Sequence, residues 1–135
     1  MEVIKKIEEV ENYDYGDPHY SRFDGFKITT DKQEILLMIS NDQSCCEDWG
    51  YFMSEDNIYS FIGSSLLDIQ IVDTSLNQKE FDKKFEHGLD CGDVMFVNLN
   101  TDKGTLQFTA YNRQNGFYGH TAIVKSNSLN REFGL

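Results

Sequence analysis

Residues 93–124, DVMFVNLNTDKGTLQFTAYNRQNGFYGHTAIV, contain three short runs that are rich in β-branched and aromatic side chains. The runs are 93–99, 104–111 and 117–124. An Asp-Lys-Gly turn at 102–104 separates the first two, and Asn115-Gly116, the pair most typical of a tight hairpin, separates the second from the third. The stretch therefore predicts a three-stranded antiparallel meander.

A second hairpin is predicted in the first third of the chain. Apolar and polar side chains roughly alternate over 22–30, and 33–40 is a run rich in leucine and isoleucine. Asp31-Lys32 between the two runs favours a short turn.

Two further segments have strand character. Residues 66–73 place Leu67, Ile69 and Ile71 on one face and polar residues on the other, which is typical of a half-buried strand. The apolar residues of 3–10 approximate helical spacing, but their β-branched side chains favour an edge strand.

Helical content is predicted to be small. Ser54 is a candidate cap for a short helix that ends at Gly63, and 77–88 suits a short amphipathic helix or an ordered loop. Short connections without regular strand-helix alternation predict an α+β class, in which an antiparallel sheet dominates and one or two short helices accompany it. We expect one domain over residues 1–135.

Composition limits the kind of protein. The chain has no apolar run near the ~18 residues of a membrane span, so we expect a cytoplasmic protein without membrane contact. Its net charge of −11, with five acids and no base in 8–17, repels a phosphate backbone and argues against direct nucleic-acid binding. A protein partner with a basic groove suits this charge.

The three cysteines are candidates for a metal site. An odd number that includes the neighbours Cys45 and Cys46 argues against a disulfide framework, so reduced thiols are expected. A structural zinc would tie the early cysteine segment to the late strands. The proposed ligands are Cys45, Cys46, Cys91 and His120, with His87 or Glu47 as the alternative fourth ligand. No CxxC or HxxxH motif is present, so buried, apolar cysteines are the competing interpretation.

An enzyme is the alternative function. Cys46 and His120 are candidates for a thiol-imidazole pair in which Glu47 or Asp48 orients the imidazole, or for an open metal centre with Glu47. Such an enzyme would act on a small molecule. The acids beside the cysteines oppose this function, because negative charge raises the pKa of a thiol. We therefore expect no enzymatic activity.

Two sequence blocks resemble a known group of proteins. DQSCCE-W-GY in 39–52 and NG-YGH in 110–124 are similar to a family of small domains of unknown function from phages and mobile elements of Gram-positive bacteria. The similarity spans about residues 22–124. Proteins of this kind include type II anti-CRISPR inhibitors, some with zinc, that bind the effector nuclease and stop target DNA from loading.

The resemblance implies a function and a ligand set. It implies an acidic, zinc-stabilised anti-CRISPR protein whose partner is a type II CRISPR effector nuclease. It also implies that Cys45, Cys46 and His120 hold the metal, whereas Cys91 has no clear counterpart in the family pattern. The remaining possibility is a phage or plasmid accessory domain in which the cysteine block only packs.

Overall fold

The computed structural model describes residues 1–14, 22–41, 48–55, 57–72, 93–113, 121–127 and 129–135. These residues form nine strands and one 3₁₀ turn, Ile58–Phe61. The strands are β1 (Glu2–Tyr13), β2 (Phe23–Thr30), β3 (Glu34–Ser40), β4 (Asp48–Met53), β5 (Ser65–Val72), β6 (Asp93–Thr101), β7 (Gly104–Arg113), β8 (Thr121–Lys125) and β9 (Asn130–Gly134). Every strand pair is antiparallel, so the predicted dominance of an antiparallel sheet is confirmed.

The sheet folds over on itself at β1. Its strand order is β4-β7-β6-β5-β1-β2-β3-β8-β9, and β1 pairs with β5 only through Glu2 and Val3 before it continues along β2. Phe108 on β7 and Phe26 on β2 lie four strands apart in this order, which a flat sheet would separate by about 19 Å. Their ring centroids are 6.1 Å apart. The β4-β7-β6-β5 half therefore packs against the β2-β3-β8-β9 half, and the main core lies between them.

Two register shifts in β1 explain its ambiguous sequence pattern. The first falls between Ile4 and Lys6, and it lets Ile4 and Ile7, three residues apart, both enter the core. The second falls between Val10 and Tyr13, which both pack on the opposite face of the sheet. Helix-like spacing therefore arises from bulges in a strand, and the prediction of a strand is confirmed.

A similar irregularity changes one detail of β5. The strand predicted over 66–73 is confirmed, and Ile69 and Ile71 pack against the core as expected. The register shifts between Leu66 and Asp68, so that Leu66 is buried while Leu67 is 66% exposed. The prediction that Leu67 shares the inward face is wrong because of this bulge.

The meander is confirmed for two of its three strands. β6 and β7 pair through the predicted turn, with Thr101 opposite Gly104. β8 does not continue the meander, since it pairs with β3 on one side and β9 on the other. The free edge of β7 is occupied by β4, and this leaves no position there for β8. The Asn115-Gly116 turn lies outside the described residues.

The predicted helix at Ser54 is reduced to a single 3₁₀ turn. Asn57, and not Ser54, occupies the N-cap position of this turn. The Ser54 hydroxyl instead accepts a hydrogen bond from the Gln107 N–H at 3.0 Å. Ser54 is thus used to continue the pairing of β4 with β7, and it cannot cap a helix. In the described part of the chain there is no α-helix, so the α+β class is not confirmed; 77–88 lies outside that part. None of the described helical residues forms a segment long and apolar enough to cross a membrane.

Candidate functional site

The residues considered as metal ligands lie outside the described residues. They are Cys45, Cys46 and Glu47 in 42–47, His87 and Cys91 in 73–92, and His120 in 114–120. Within the described ranges, no group of three or more His, Cys, Asp and Glu residues is placed to hold a metal ion.

Asn112 lies between the starts of β4 and β6, the two strands that follow the 42–47 and 73–92 segments. It lies on β7 between Trp49, which follows the 42–47 segment on β4, and Asp93, which follows the 73–92 segment on β6. Asn112 is fully buried, and its Nδ2 donates a hydrogen bond of 3.1 Å to the carbonyl oxygen of Leu135. The starts of β4 and β6 and the end of the chain therefore meet at one point.

The 114–120 segment begins and ends beside the same point. Arg113 precedes it and pairs with Asp48, and Thr121 follows it and pairs with Gly134. The Thr121 N–H also donates to the Ser40 hydroxyl at 3.1 Å, near the end of β3. We call this set of strand ends, which includes Asp48, Asp93, Asn112 and Thr121, the junction. All three segments that carry the proposed ligands adjoin it.

An acidic strand face lies on β1, where Glu9 and Glu11 project to the same side of the strand, whereas Glu8 projects to the other side. Glu8 forms an ion pair with Lys6 at 3.2 Å. Among the described residues, no lysine or arginine forms an ion pair with Glu9 or Glu11. Negative charge on this face is therefore incompletely neutralised, and a cationic surface would find it available.

Tyr51 links the acidic strand face to β4. Its hydroxyl donates a hydrogen bond of 3.0 Å to Glu9 Oε2, across the two halves of the sheet. The Tyr51 ring packs edge-on against Phe26, with centroids 5.7 Å apart. Burial raises the pKa of the Tyr51 hydroxyl, and the Glu9 carboxylate raises it further. The phenol therefore remains a neutral donor at physiological pH.

A polar network holds the adjoining ends of β1, β2 and β3. The Asn12 N–H donates to Asp24 Oδ1 at 3.0 Å, and Asn41 Nδ2 donates to the same oxygen at 3.0 Å and to Asn12 Oδ1 at 2.6 Å. Asn12 has a φ of 55°, a left-handed conformation that asparagine tolerates better than most residues. The end of β1 is therefore held beside Asn41, the residue that immediately precedes the 42–47 segment.

Comparison with known proteins identifies the family. A family model described as a domain of unknown function, DUF7448, matches residues 2–124. The chain belongs to the DUF7448 family. No curated protein matches it, and no solved structure matches it. The DUF7448 match covers β1 to β7 and most of β8, so that β9 and Leu135 lie beyond the matched residues.

Sequence reasoning missed the role of Tyr51 in this DUF7448 chain. The concentration of acids in 8–17 is visible in the sequence, but the partner of Glu9 lies 42 residues away on a strand that was not predicted. The one sequence signal was the aromatic pair Tyr51-Phe52 beside the cysteine segment.

The burial of Tyr51, together with its bond to Glu9, predicts a dependence of stability on alkaline pH. The pKa of Tyr51 is raised on folding, so its contribution is complete below about pH 10, the pKa of an unfolded tyrosine. It is lost as the pH rises above that value, because the unfolded chain then releases a proton that the folded chain retains.

Tyr51→Phe should therefore lower the free energy of unfolding by about 1 kcal/mol at neutral pH and flatten its decline above pH 10. Urea unfolding at a series of pH values measures both effects. Tyr59→Phe is the matched control, because Tyr59 is 57% exposed. Equal behaviour of the two variants would show that the bond to Glu9 contributes nothing.

Proposed function

We propose that this DUF7448 protein is a non-enzymatic inhibitor that binds a type II CRISPR effector nuclease in the bacterial cytoplasm and blocks target DNA loading. The observation that carries the proposal is the acidic strand face in a chain of net charge −11. The similarity of the cysteine and NG-YGH blocks to phage-encoded domains selects the class of partner.

The physical basis is competition for a basic channel. An RNA-guided nuclease holds its heteroduplex and the displaced strand in positively charged grooves. An ordered acidic surface can occupy such a groove, and the charges accelerate association and define the partner more than they increase raw affinity. Glu9 and Glu11 suit this role, because cations within the described residues do not neutralise them through ion pairs.

A structural zinc is part of the proposal. Thiolates and an imidazole form a donor set typical of structural zinc, and the proposed ligands are Cys45, Cys46, Cys91 and His120. Support comes from the junction: Cys46, Cys91 and His120 stand two, two and one residues before Asp48, Asp93 and Thr121 in the sequence. When bound, the ion would join the three segments without taking part in a reaction.

A cleavage assay tests the inhibitor. The nuclease loaded with guide RNA is mixed with excess protein before or after addition of target DNA, and complex formation is followed by size-exclusion chromatography. Inhibition should require addition before the DNA and should weaken with salt. Undiminished cutting together with the absence of a complex would reject the proposal.

Matched variants locate the contact. Glu9→Gln with Glu11→Gln raises the net charge from −11 to −9, and so does Glu55→Gln with Glu132→Gln. The first pair should raise the inhibitor concentration for half-maximal inhibition roughly tenfold, mainly through a slower association rate. If the second pair has the same effect, only the overall charge matters and the acidic strand face is not the contact.

Metal analysis tests the zinc. We expect about one zinc ion per purified chain, and Cys46→Ser, Cys91→Ser and His120→Ala should each lower this content and the melting temperature. Elemental analysis and thermal unfolding with and without a chelator provide the two measurements. Zinc-free protein whose melting temperature is unchanged by the chelator would remove zinc from the proposal.

A further inference from the structure

A cavity of about 360 Å³ lies beside β5, away from the junction. Its apolar surface comes from Leu66, Ile69 and Leu129, and the exposed Leu67 stands at its side. The acidic residues Glu2 and Asp68 also line it. We call this cavity the β5 pocket. Its volume falls within the range of sites that hold small ligands or single side chains.

The carboxylate of Glu2 is fixed in position. Its Oε2 accepts hydrogen bonds from the Thr30 hydroxyl at 2.6 Å and from Gln33 Nε2 at 2.7 Å. Gln33 is held in turn, because its Oε1 accepts the Asn127 N–H at 2.8 Å. A carboxylate offers about four acceptor positions, so these two bonds leave Glu2 with capacity for a cation. The turns before β3 and β9 thus preorganise one wall of the pocket.

The second carboxylate is also supported. Asn100 Nδ2 on β6 donates to Asp68 Oδ1, which fixes the orientation of the Asp68 side chain. Glu2 stands opposite Leu66 and shares its face of the sheet, whereas the register shift places Asp68 opposite Asn100, on the other face. The two acids therefore reach the pocket from opposite faces of β5, and Leu67, which the bulge turns outward, adds apolar surface beside them.

We propose that the β5 pocket binds an arginine side chain presented by the basic protein partner. The aliphatic stem would cover Leu67 and the apolar surface, while the guanidinium group would meet the fixed carboxylate of Glu2 and Asp68 would add negative charge from the other face of β5. Arginine suits this combination because its planar cation is weakly hydrated and binds carboxylates in pairs of hydrogen bonds. Long basic side chains commonly combine a buried stem with a paired charge.

The identity of the partner rests on the proposed inhibitory function, but the chemistry of the pocket does not. An arginine anchor would add a specific contact to the general attraction of the acidic strand face, since buried arginines at the centre of interfaces often carry much of the binding energy. The acidic strand face then governs the association rate, and the β5 pocket governs dissociation.

A titration with n-butylguanidinium chloride, followed by NMR, tests the pocket. Shifts should concentrate at Leu66, Leu67, Ile69 and Leu129, with a dissociation constant in the millimolar range, roughly 1 to 10 mM. Methylguanidinium, which lacks the stem, and n-butanol, which lacks the cation, should each bind at least about fivefold more weakly. Absence of shifts at these residues, or equal shifts along β1, would overturn the proposal.

Variants separate the pocket from general electrostatics. Asp68→Asn and Leu67→Ala should each weaken binding of n-butylguanidinium by roughly three- to tenfold, whereas Glu55→Gln, with the same change of charge as Asp68→Asn, should leave it unchanged. Equal weakening by Glu55→Gln would reject a local site. The titration contains no nuclease, so binding of the probe without inhibition of cleavage rejects only the proposed function. Inhibition without binding of the probe rejects only the pocket.

Discussion

Gly25→Ala should lower the free energy of unfolding by about 3 to 4 kcal/mol, because the new methyl group meets backbone that cannot move. A Cβ at this position would lie 2.1 Å from the Leu37 carbonyl oxygen and 2.7 Å from Met38 Cα. Gly25 pairs with Val10 on one side and Met38 on the other, so relief of the clash would break the central pairing of the sheet. Denaturant unfolding measures the loss.

Gly104→Ala is the matched control for this substitution. Gly104 has a φ of +119°, and nothing lies within 4 Å of the point that a Cβ would occupy, so alanine there meets conformational strain without a clash. We expect a loss of about 1 to 2 kcal/mol. If Gly25→Ala costs no more than Gly104→Ala, the close approach of β2 to β3 is not what limits position 25.

The sequence predicts the local hairpins well, because turn residues fix their register. Asp31-Lys32 joins β2 to β3, and the turn at 102–104 joins β6 to β7, both as expected. The order of strands that are distant in sequence depends on which strand pairs with each open edge, and no local sequence pattern reveals this. β4 takes the edge of β7, and β8 then pairs with β3, over 80 residues earlier in the chain.

β4 and β9 were missed because their sequences do not resemble strands. DWGYFM contains Gly50, which reads as a loop residue, yet a Cβ there would lie 2.6 Å from the Tyr111 hydroxyl on the neighbouring strand. Gly50 thus lies against the Tyr111 side chain within a strand and does not mark a turn. β9, NREFG, is short, polar and at the edge of the sheet, where apolar alternation is not needed.

The candidate site is only partly predictable, for a related reason. The acids of β1 are close together in sequence, so their concentration is visible without the fold. The junction unites Asp48, Asp93, Asn112 and Thr121 through strand pairing, which depends on the whole topology. The β5 pocket likewise depends on a bulge at Leu67 that reverses the expected direction of one side chain.

Phe108→Ala should lower the free energy of unfolding by about 3 to 5 kcal/mol. Phe108 is fully buried, and its ring lies 6.1 Å from Phe26 on β2 and 6.1 Å from Tyr51 on β4. These rings join the two halves of the sheet, so the cavity left by alanine would open between them. The loss is measured by denaturant unfolding, and a reduced pH dependence above pH 10 would show that Tyr51 has become less buried or has lost its bond to Glu9.

Phe52→Ala makes the same chemical change at a half-buried position. Phe52 contacts Tyr111 with ring centroids 6.4 Å apart, and it removes less apolar area from water than Phe108 does, so we expect a cost of about 1 to 2 kcal/mol. It should preserve the pH dependence that arises from Tyr51. Equal costs for the two variants would contradict a core shared by both halves. A larger cost for Phe108→Ala, with loss of the alkaline pH dependence, would show that the same packing also positions the acidic strand face against β4.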